Sequence, residues 1–293
     1  MTDKLRLKAY AKINLLLDVI GKYQTGYHQV EMVMQTIDLS DRLIFTKVDK
    51  GIKINCEHEA VPSGEKNLIY QAAQLLIDEF ALEGGLEVKL EKNIPVAAGL
   101  AGGSSNAAAA LKAVNQLWDL GLKSSELEVR AAKLGSDIPF CLRGGTQLAT
   151  GTGTDLQSLN VSPDLNLVVV NPPFAISTAE IYKNFSLDAI EQHPQVDNLV
   201  TGLKNDSRSV ILSNLENVLE LVAINRYPKV EEIKKIVAQK TDKVLMSGSG
   251  PTLLGFVENK DKADLIAEAL KNKFNDNYKI ASATTVDLGV ESF

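Results

Sequence analysis

The chain has 293 residues, of which 45% are hydrophobic and 23% charged, with a formal charge of −6. This is the balance of a globular protein long enough for two domains, and its acidity argues against a general nucleic-acid or membrane-surface binder. Cys56 and Cys141 stand far apart and read as two free thiols of a reducing compartment, with no metal-ligand spacing around them.

The segment Met1–Lys8 alternates charged with apolar residues and has no signal-peptide core, and no apolar run is long enough to span a bilayer. The expected location is therefore the cytoplasm. Strand signals fall on Leu5–Ala9 and Ile13–Val19, then, after a polar glycine-bearing turn at 21–28, on Glu31–Leu39, Asp41–Val48 and Ile52–Cys56. Apolar residues at Leu68, Ala72, Leu75, Leu76 and Phe80 predict an amphipathic helix over 67–82. Leu86–Glu91 alternates as a half-exposed strand. A helix is predicted to follow Ser105, placing Ala107, Leu111, Val114 and Trp118 on one face. Another is predicted to be capped by Ser124 or Ser125, with Glu128 completing a capping box with Ser125. The polar stretch at 160–164 marks a division into residues 1–162 and 163–293. Beyond it come an apolar strand at 165–170 and helices at 178–185, 197–203, 210–224 and 229–240. Strands at 243–246 and 252–257, a helix at 260–274 and a strand at 280–286 complete an α+β chain.

Five segments carry candidate chemistry. Pro95, Val96, Ala97, Ala98, Gly99, Leu100, Ala101, Gly102, Gly103, Ser104 and Ser105 lead into Asn106 and an alanine run. A glycine-rich turn feeding a helix N-terminus offers free N–H groups and partial positive charge to a phosphate. Ser104, Ser105 and Asn106 are N-cap types. No Lys-Ser/Thr pair closes the segment, so it is no Walker A loop, and a plain loop before a buried helix is the alternative. Lys12 and Asn14 share one face of a strand, either as a solvent face or as a desolvated partner for an anion. Tyr27 and His28 set an aromatic ring beside a titratable one in a loop, where binding residues concentrate, although such a pair is also common as mere structure. Asp137, in Leu134–Phe140, is a general-base candidate or a turn-forming Asp that bonds its own backbone. Met246–Thr252 is a second small-residue turn that allows close approach of another backbone or a ligand.

In this order, the segments resemble the GHMP kinase superfamily, small-molecule kinases whose phosphate-binding signature looks like Pro95–Ala108 and whose carboxy-terminal glycine motif looks like Met246–Thr252. The similarity covers nearly the whole chain. Ala11–Val19, Gly26-Tyr27-His28, and Leu134–Phe140 with Gly144-Gly145 are similar to one branch of it, which acts on a cytidine-diphosphate-linked alcohol in isoprenoid biosynthesis. The resemblance implies an amino-terminal domain like ribosomal protein S5 domain 2, a ferredoxin-like carboxy-terminal domain, and ATP with Mg²⁺. It implies Asp137 as base and Lys12 as its electrostatic partner. Tyr27 and His28 would hold the cytosine, with Tyr182 over its other face and Asn14 near the transferred group. Asn67 and Lys92 would line the adenine side, and Pro95 to Ser105 would wrap the ATP phosphates. Thr25 stands where the branch usually has Asp, Lys22 where Arg is common, and Thr154 where Glu is frequent. Another kinase of the superfamily with a non-cytidine acceptor, or a nucleotide-binding module without catalysis, are the alternatives. Neither the Mg²⁺ ligands nor an oligomeric state is legible.

Overall fold

Two long antiparallel strands form the spine. In the computed structural model, which describes residues 3–293, β1 (Lys4–Lys22) and β2 (His28–Val48) pair along almost their full length. The sequence signals divide each of these strands in two. The structure runs them through, because register shifts at Tyr10/Ala11 and Asn14/Leu16 absorb the breaks in alternation as bulges. The shifts also change which side of β1 is apolar. Leu7 and Ala9 belong to one core, Ala11, Ile13 and Leu15 to a second, and Leu17 and Val19 to the first again.

The first half continues with β3 (Gly51–Asn55), α1 (Leu68–Glu79), β4 (Gly85–Glu91), α2 (Gly102–Leu117), α3 (Ser124–Ala131), α4 (Ile138–Arg143), β5 (Thr146–Thr150) and β6 (Asp155–Ser158). β4 and β5 both pair with β2, and α2 packs across β1 and against α1. Ala107 to Ala110 are all fully buried, and their small side chains let α2 lie close to the sheet. Two expectations fail here. The N-cap of α3 is Lys123, whose N–H donates to Glu126 at 2.9 Å, so neither serine caps the helix and Glu128 closes no box. Glu128 instead pairs with Arg143 at the end of α4.

After the polar stretch at 160–164 come β7 (Asn166–Asn171), α5 (Thr178–Asn184), a 3₁₀ turn (Leu187–Ala189), α6 (Val196–Lys204), α7 (Arg208–Ser213), β8 (Glu216–Asn217) and α8 (Leu219–Arg226). They are followed by α9 (Pro228–Ala238), β9 (Lys243–Met246), β10 (Leu253–Val257), α10 (Lys260–Lys273), β11 (Lys279–Val286) and β12 (Val290–Ser292). The helix expected over 210–224 is broken. Asn214 turns its amide back onto Val210 O at 2.8 Å, and the freed segment pairs as β8 with Leu16 and Leu17 of β1. That pairing is tertiary and leaves no mark on local periodicity.

The antiparallel order β9-β10-β7-β11, with helices between β7 and β9 and between β10 and β11, is the split β-α-β arrangement of a ferredoxin-like unit. β11 also pairs with β2 and β12 with β1, so both halves contribute to one 12-stranded sheet. The second core, with Leu167, Leu254 and Phe256 from one half and Ile13 and Leu15 from the other, lies between them. The α+β class expected from the sequence is the class observed.

Candidate active site

Strand alternation puts Lys12 and Asn14 on one face, and the fold buries that face. Lys12 is 5% exposed and Asn14 0%, which excludes the solvent-face alternative. Lys12 Nζ donates to Asn14 Oδ1 at 2.9 Å and lies 3.8 Å from Asp137 Oδ2. Asp137 occupies the residue before α4, yet its side chain accepts no cap hydrogen bond. The turn-forming alternative is thus excluded as well, and the carboxylate, a third exposed, is left to face the lysine and the cavity.

The loop from Pro95 to Ala101 carries three residues in the left-handed region: Ala97 (φ 53°), Gly99 (φ 75°) and Ala101 (φ 54°). Such conformations cost alanine about 1–2 kcal/mol and persist only where the surroundings enforce them. Part of that enforcement comes from the second glycine turn. Ser247 Oγ donates to Gly99 O at 2.9 Å, and a Cβ on Gly99 would stand 2.2 Å from Ser247 O. The turn is itself held by Asn217, whose Nδ2 donates to Met246 O and Gly248 O, both at 2.8 Å.

α2 begins at Gly102, not after Ser105, because Ala101 supplies the left-handed entry and the glycines continue as helix. The N–H groups of Gly102, Gly103 and Ser104 are therefore the orphan donors, and all three residues line the main cavity. None of the serines is a cap. Ser105 and Leu100 turn away from the cavity. Ser105 is fully buried, its Oγ donating to Tyr10 O at 2.6 Å and its N–H to Ala101 O, while the Leu100 side chain sits in the second core. Pro95 to Gly99, Ala101 to Ser104 and, beyond them, Asn106 line the ligand space.

That space is about 1090 Å³ and is lined by both halves of the chain. Five of its lining residues are lysines (Lys12, Lys22, Lys66, Lys92 and Lys183) and Asp137 is the sole acidic one, a strongly positive lining in a chain of net charge −6. Tyr27 is 70% exposed at the mouth. The His28 ring lies 5.0 Å from that of Tyr182, tilted by 36°. Burial, reinforced by the charge of Asp137, pushes the Tyr182 hydroxyl up and keeps it protonated. Burial, and then Lys22, hold His28 below the ordinary histidine range. His28 is thus neutral at pH 7, and it takes up its proton at a lower pH than in the unfolded chain. Its contribution to stability falls as pH drops from about 6.5 through the lowered value. Thermal stability is expected to fall less between about pH 6.5 and 5 in a His28→Gln variant than in the unaltered protein, and identical pH profiles of Tm would exclude His28 as the cause.

Asn67 and Lys92 line the same cavity, with their polar groups already engaged. Asn67 caps α1, accepting from Ile69 N at 2.8 Å and donating to Pro62 O at 2.6 Å. Lys92 pairs with the fully buried Asp41 at 2.5 Å. Lys66, Lys183 and Thr178 line the cavity without having been singled out in the sequence, whereas Ser249 lies in the expected small-residue turn. The Thr178 and Ser249 hydroxyls meet at 2.8 Å and tie α5 to the glycine turn. Lys66 and Lys183 are each adjacent to a residue already singled out, which was the available signal. Cys56 and Cys141 are free thiols, and among the described residues no three His, Cys, Asp or Glu side chains could hold a metal together. Among the described residues no helix is long and apolar enough to cross a membrane.

Comparison with known proteins agrees with this geometry. Residues 67–145 match the GHMP kinases N terminal domain and residues 192–276 the GHMP kinases C terminal domain. A Clostridium beijerinckii protein named 4-diphosphocytidyl-2-C-methyl-D-erythritol kinase is 40% identical over 276 residues, 93% of this chain and 98% of that one. A Geobacillus protein of the same name is 45% identical over 270 residues, 92% and 93% of the two chains. The crystal structure of a 4-(cytidine 5'-diphospho)-2C-methyl-D-erythritol kinase superposes with a TM-score of 0.82 at 30% identity, covering 96% of this chain and 99% of that one. A homoserine kinase from Cytophaga hutchinsonii, at 22% identity, shares the fold with a TM-score of 0.80 over 100% and 98% of the two chains. With both halves of the cleft matched in order, the chain belongs to the GHMP kinase family, in the branch of the 4-diphosphocytidyl-2-C-methyl-D-erythritol kinases.

Proposed function

We propose that this enzyme transfers the γ-phosphoryl group of ATP to the 2-hydroxyl of 4-diphosphocytidyl-2-C-methyl-D-erythritol, in isoprenoid biosynthesis. The observation that carries the reading is one cavity lined by a helix N-terminus, the Lys12–Asp137 pair and the His28–Tyr182 aromatic pair. Its surplus of lysines suits two polyphosphate ligands together.

Phosphoryl transfer asks mainly for positioning and charge stabilisation. The N–H groups of Gly102, Gly103 and Ser104, with the α2 dipole, hold the nucleotide phosphates. Asp137 accepts the proton of the attacking hydroxyl. Lys12, kept in place by Asn14, orients that carboxylate and faces the charge that develops on the transferred group. Tyr27, His28 and Tyr182 hold the cytosine. Magnesium takes most of its ligands from phosphate and water and needs few from protein, so the cavity's carboxylate and a hydroxyl at the start of α2 suit it, and Asp137 and Ser104 would hold it. When bound it neutralises charge on the β- and γ-phosphates.

An ADP-release assay separates this acceptor from others of the family. With Tyr27→Ala, the KM for the cytidine substrate is expected to rise about tenfold or more while that for ATP stays within twofold, the loss of one stacking contact being worth about 1–3 kcal/mol. An unchanged acceptor KM, or faster turnover of mevalonate or homoserine by the unaltered enzyme, would overturn the assignment.

A further inference from the structure

The loop that faces the phosphates is bent into left-handed turns at two alanines, and the exposed backbone of such a loop does not hold its own shape. Ser247 braces its middle and Ser105 anchors the helix behind it to β1. Its two ends meet at a single side chain. Asp41, on β2, is fully buried and accepts four hydrogen bonds. Oδ1 takes the backbone N–H groups of Asn93 at 2.7 Å and Ile94 at 2.8 Å, the two residues before Pro95. Oδ2 takes Lys92 Nζ at 2.5 Å and Asn106 Nδ2 at 2.8 Å. Asn106 lies in the first turns of α2, beyond the last residue of the loop.

A carboxylate has about four lone-pair positions, and here every one is used. No capacity is left over to explain Asp41 as a ligand or a base, and at zero exposure it touches no solvent. What it does is close a ring. β2 holds Asp41, Asp41 holds both the entry of the loop and the second turn of α2, and the loop between them is thereby fixed in span. Lys92 gives the ring its electrical balance. A bare carboxylate behind Gly102 would oppose the positive end of the helix just where an anion has to sit. Lys92 Nζ bonds both Asp41 and Ile94 O, at 2.8 Å, and is so close to Gly102 that a Cβ there would stand 2.7 Å from it. The cation thus stands between the buried negative charge and the phosphate-facing amides.

We propose that Asp41 is a positioning residue for the ATP side of the reaction, pre-organising the amide cradle of Gly102 to Ser104 by clamping both ends of the loop and presenting a neutralised ion pair beneath it. This rests on the assignment of that cradle to the ATP phosphates. On the acceptor side, His28 opens β2 thirteen residues before Asp41 and Tyr182 lies on α5, and neither is among the four donors that Asp41 holds.

The test is a split between the two substrates. In Asp41→Asn, an amide N–H would face the Lys92 and Asn106 donors. The KM for ATP is expected to rise tenfold or more, and the thermal shift given by an ATP analogue to shrink in step. The acceptor KM should stay within twofold. Asn106→Ala opens one link and leaves the ion pair intact, so it serves if the first variant does not fold, and its ATP KM should rise about threefold with the same selectivity. A lower Tm with both KM values unchanged, or an equal rise in both, would make Asp41 a purely structural residue and overturn the proposal. Absence of any thermal shift by the ATP analogue in the unaltered enzyme would instead overturn the assignment of the cradle.

Discussion

Replacing Asp137 by Asn is expected to lower kcat by about 10²–10⁴-fold, the range lost with a general base, while the fold stays intact. Both halves of that expectation come from its surroundings. The side chain caps no helix, packs in no core, and touches one partner, Lys12, at 3.8 Å. Asparagine keeps its shape and loses only the proton acceptor and the charge. Tm should therefore move by no more than about 2–4 °C, the equivalent of about 1 kcal/mol, and the acceptor KM should stay within a few-fold, while the KM for ATP with magnesium rises as the ion's carboxylate is lost. Steady-state kinetics with a thermal melt decide the matter. Turnover close to that of the unaltered enzyme would remove Asp137 from its role, and a collapse of Tm would make it a structural residue.

The second large effect is expected at Gly99. Its φ of 75° suits glycine, and an added methyl group would stand 2.2 Å from the carbonyl oxygen of Ser247. Gly99→Ala thus meets two costs at once, about 1–2 kcal/mol for the left-handed backbone and about 1–3 kcal/mol for the overpacked contact. A fall in Tm of about 5–10 °C follows at the usual scale for chains of this size. Because the clash is with backbone on both sides, relief requires the two glycine turns to part. The Ser247–Gly99 hydrogen bond then breaks, and the KM for ATP is expected to rise at least tenfold. An enzyme with unchanged Tm and ATP KM would show that the two turns are not clasped. Gly103→Ala is the matched control for stability. There an added methyl group finds only Leu68 at 3.7 Å, so Tm should change little.

The elements that carry the site were legible to different degrees. α1, β4, α9 and α10 follow from apolar periodicity, because each packs one face on a neighbour and leaves the other in water. The start of α2 did not, since glycine and serine are weak helix formers and only the left-handed Ala101 and the clasp of Ser247 make the helix begin at Gly102. The break of 210–224 into α7, β8 and α8 was equally hidden, because β8 exists by pairing with a strand some 200 residues earlier in the chain. In the site, the order and spacing of Lys12, Tyr27-His28, Pro95–Ser105, Asp137 and Met246–Thr252 were enough to name the family. Asp41 carried no signal. A single aspartate in an alternating strand looks like any solvent-facing residue, until the fold brings four donors around it.

The sequence by itself determined the chemistry on offer: which residue types are present, in what order, and with what local backbone freedom. Backbone freedom is a property of the residue, and glycine at 99 or an alanine run after 106 acts the same way in any fold. Only the tertiary structure decided which of these groups are desolvated and what they face. Lys12 meets Asp137 because β1 is buried between two cores, Ser105 and Leu100 turn inward because α2 lies against β1, and five lysines converge on one cavity while the chain as a whole stays acidic. Electrostatic and hydrogen-bond strengths depend on distance and on the exclusion of water, and neither exists until the two halves of the chain close on each other.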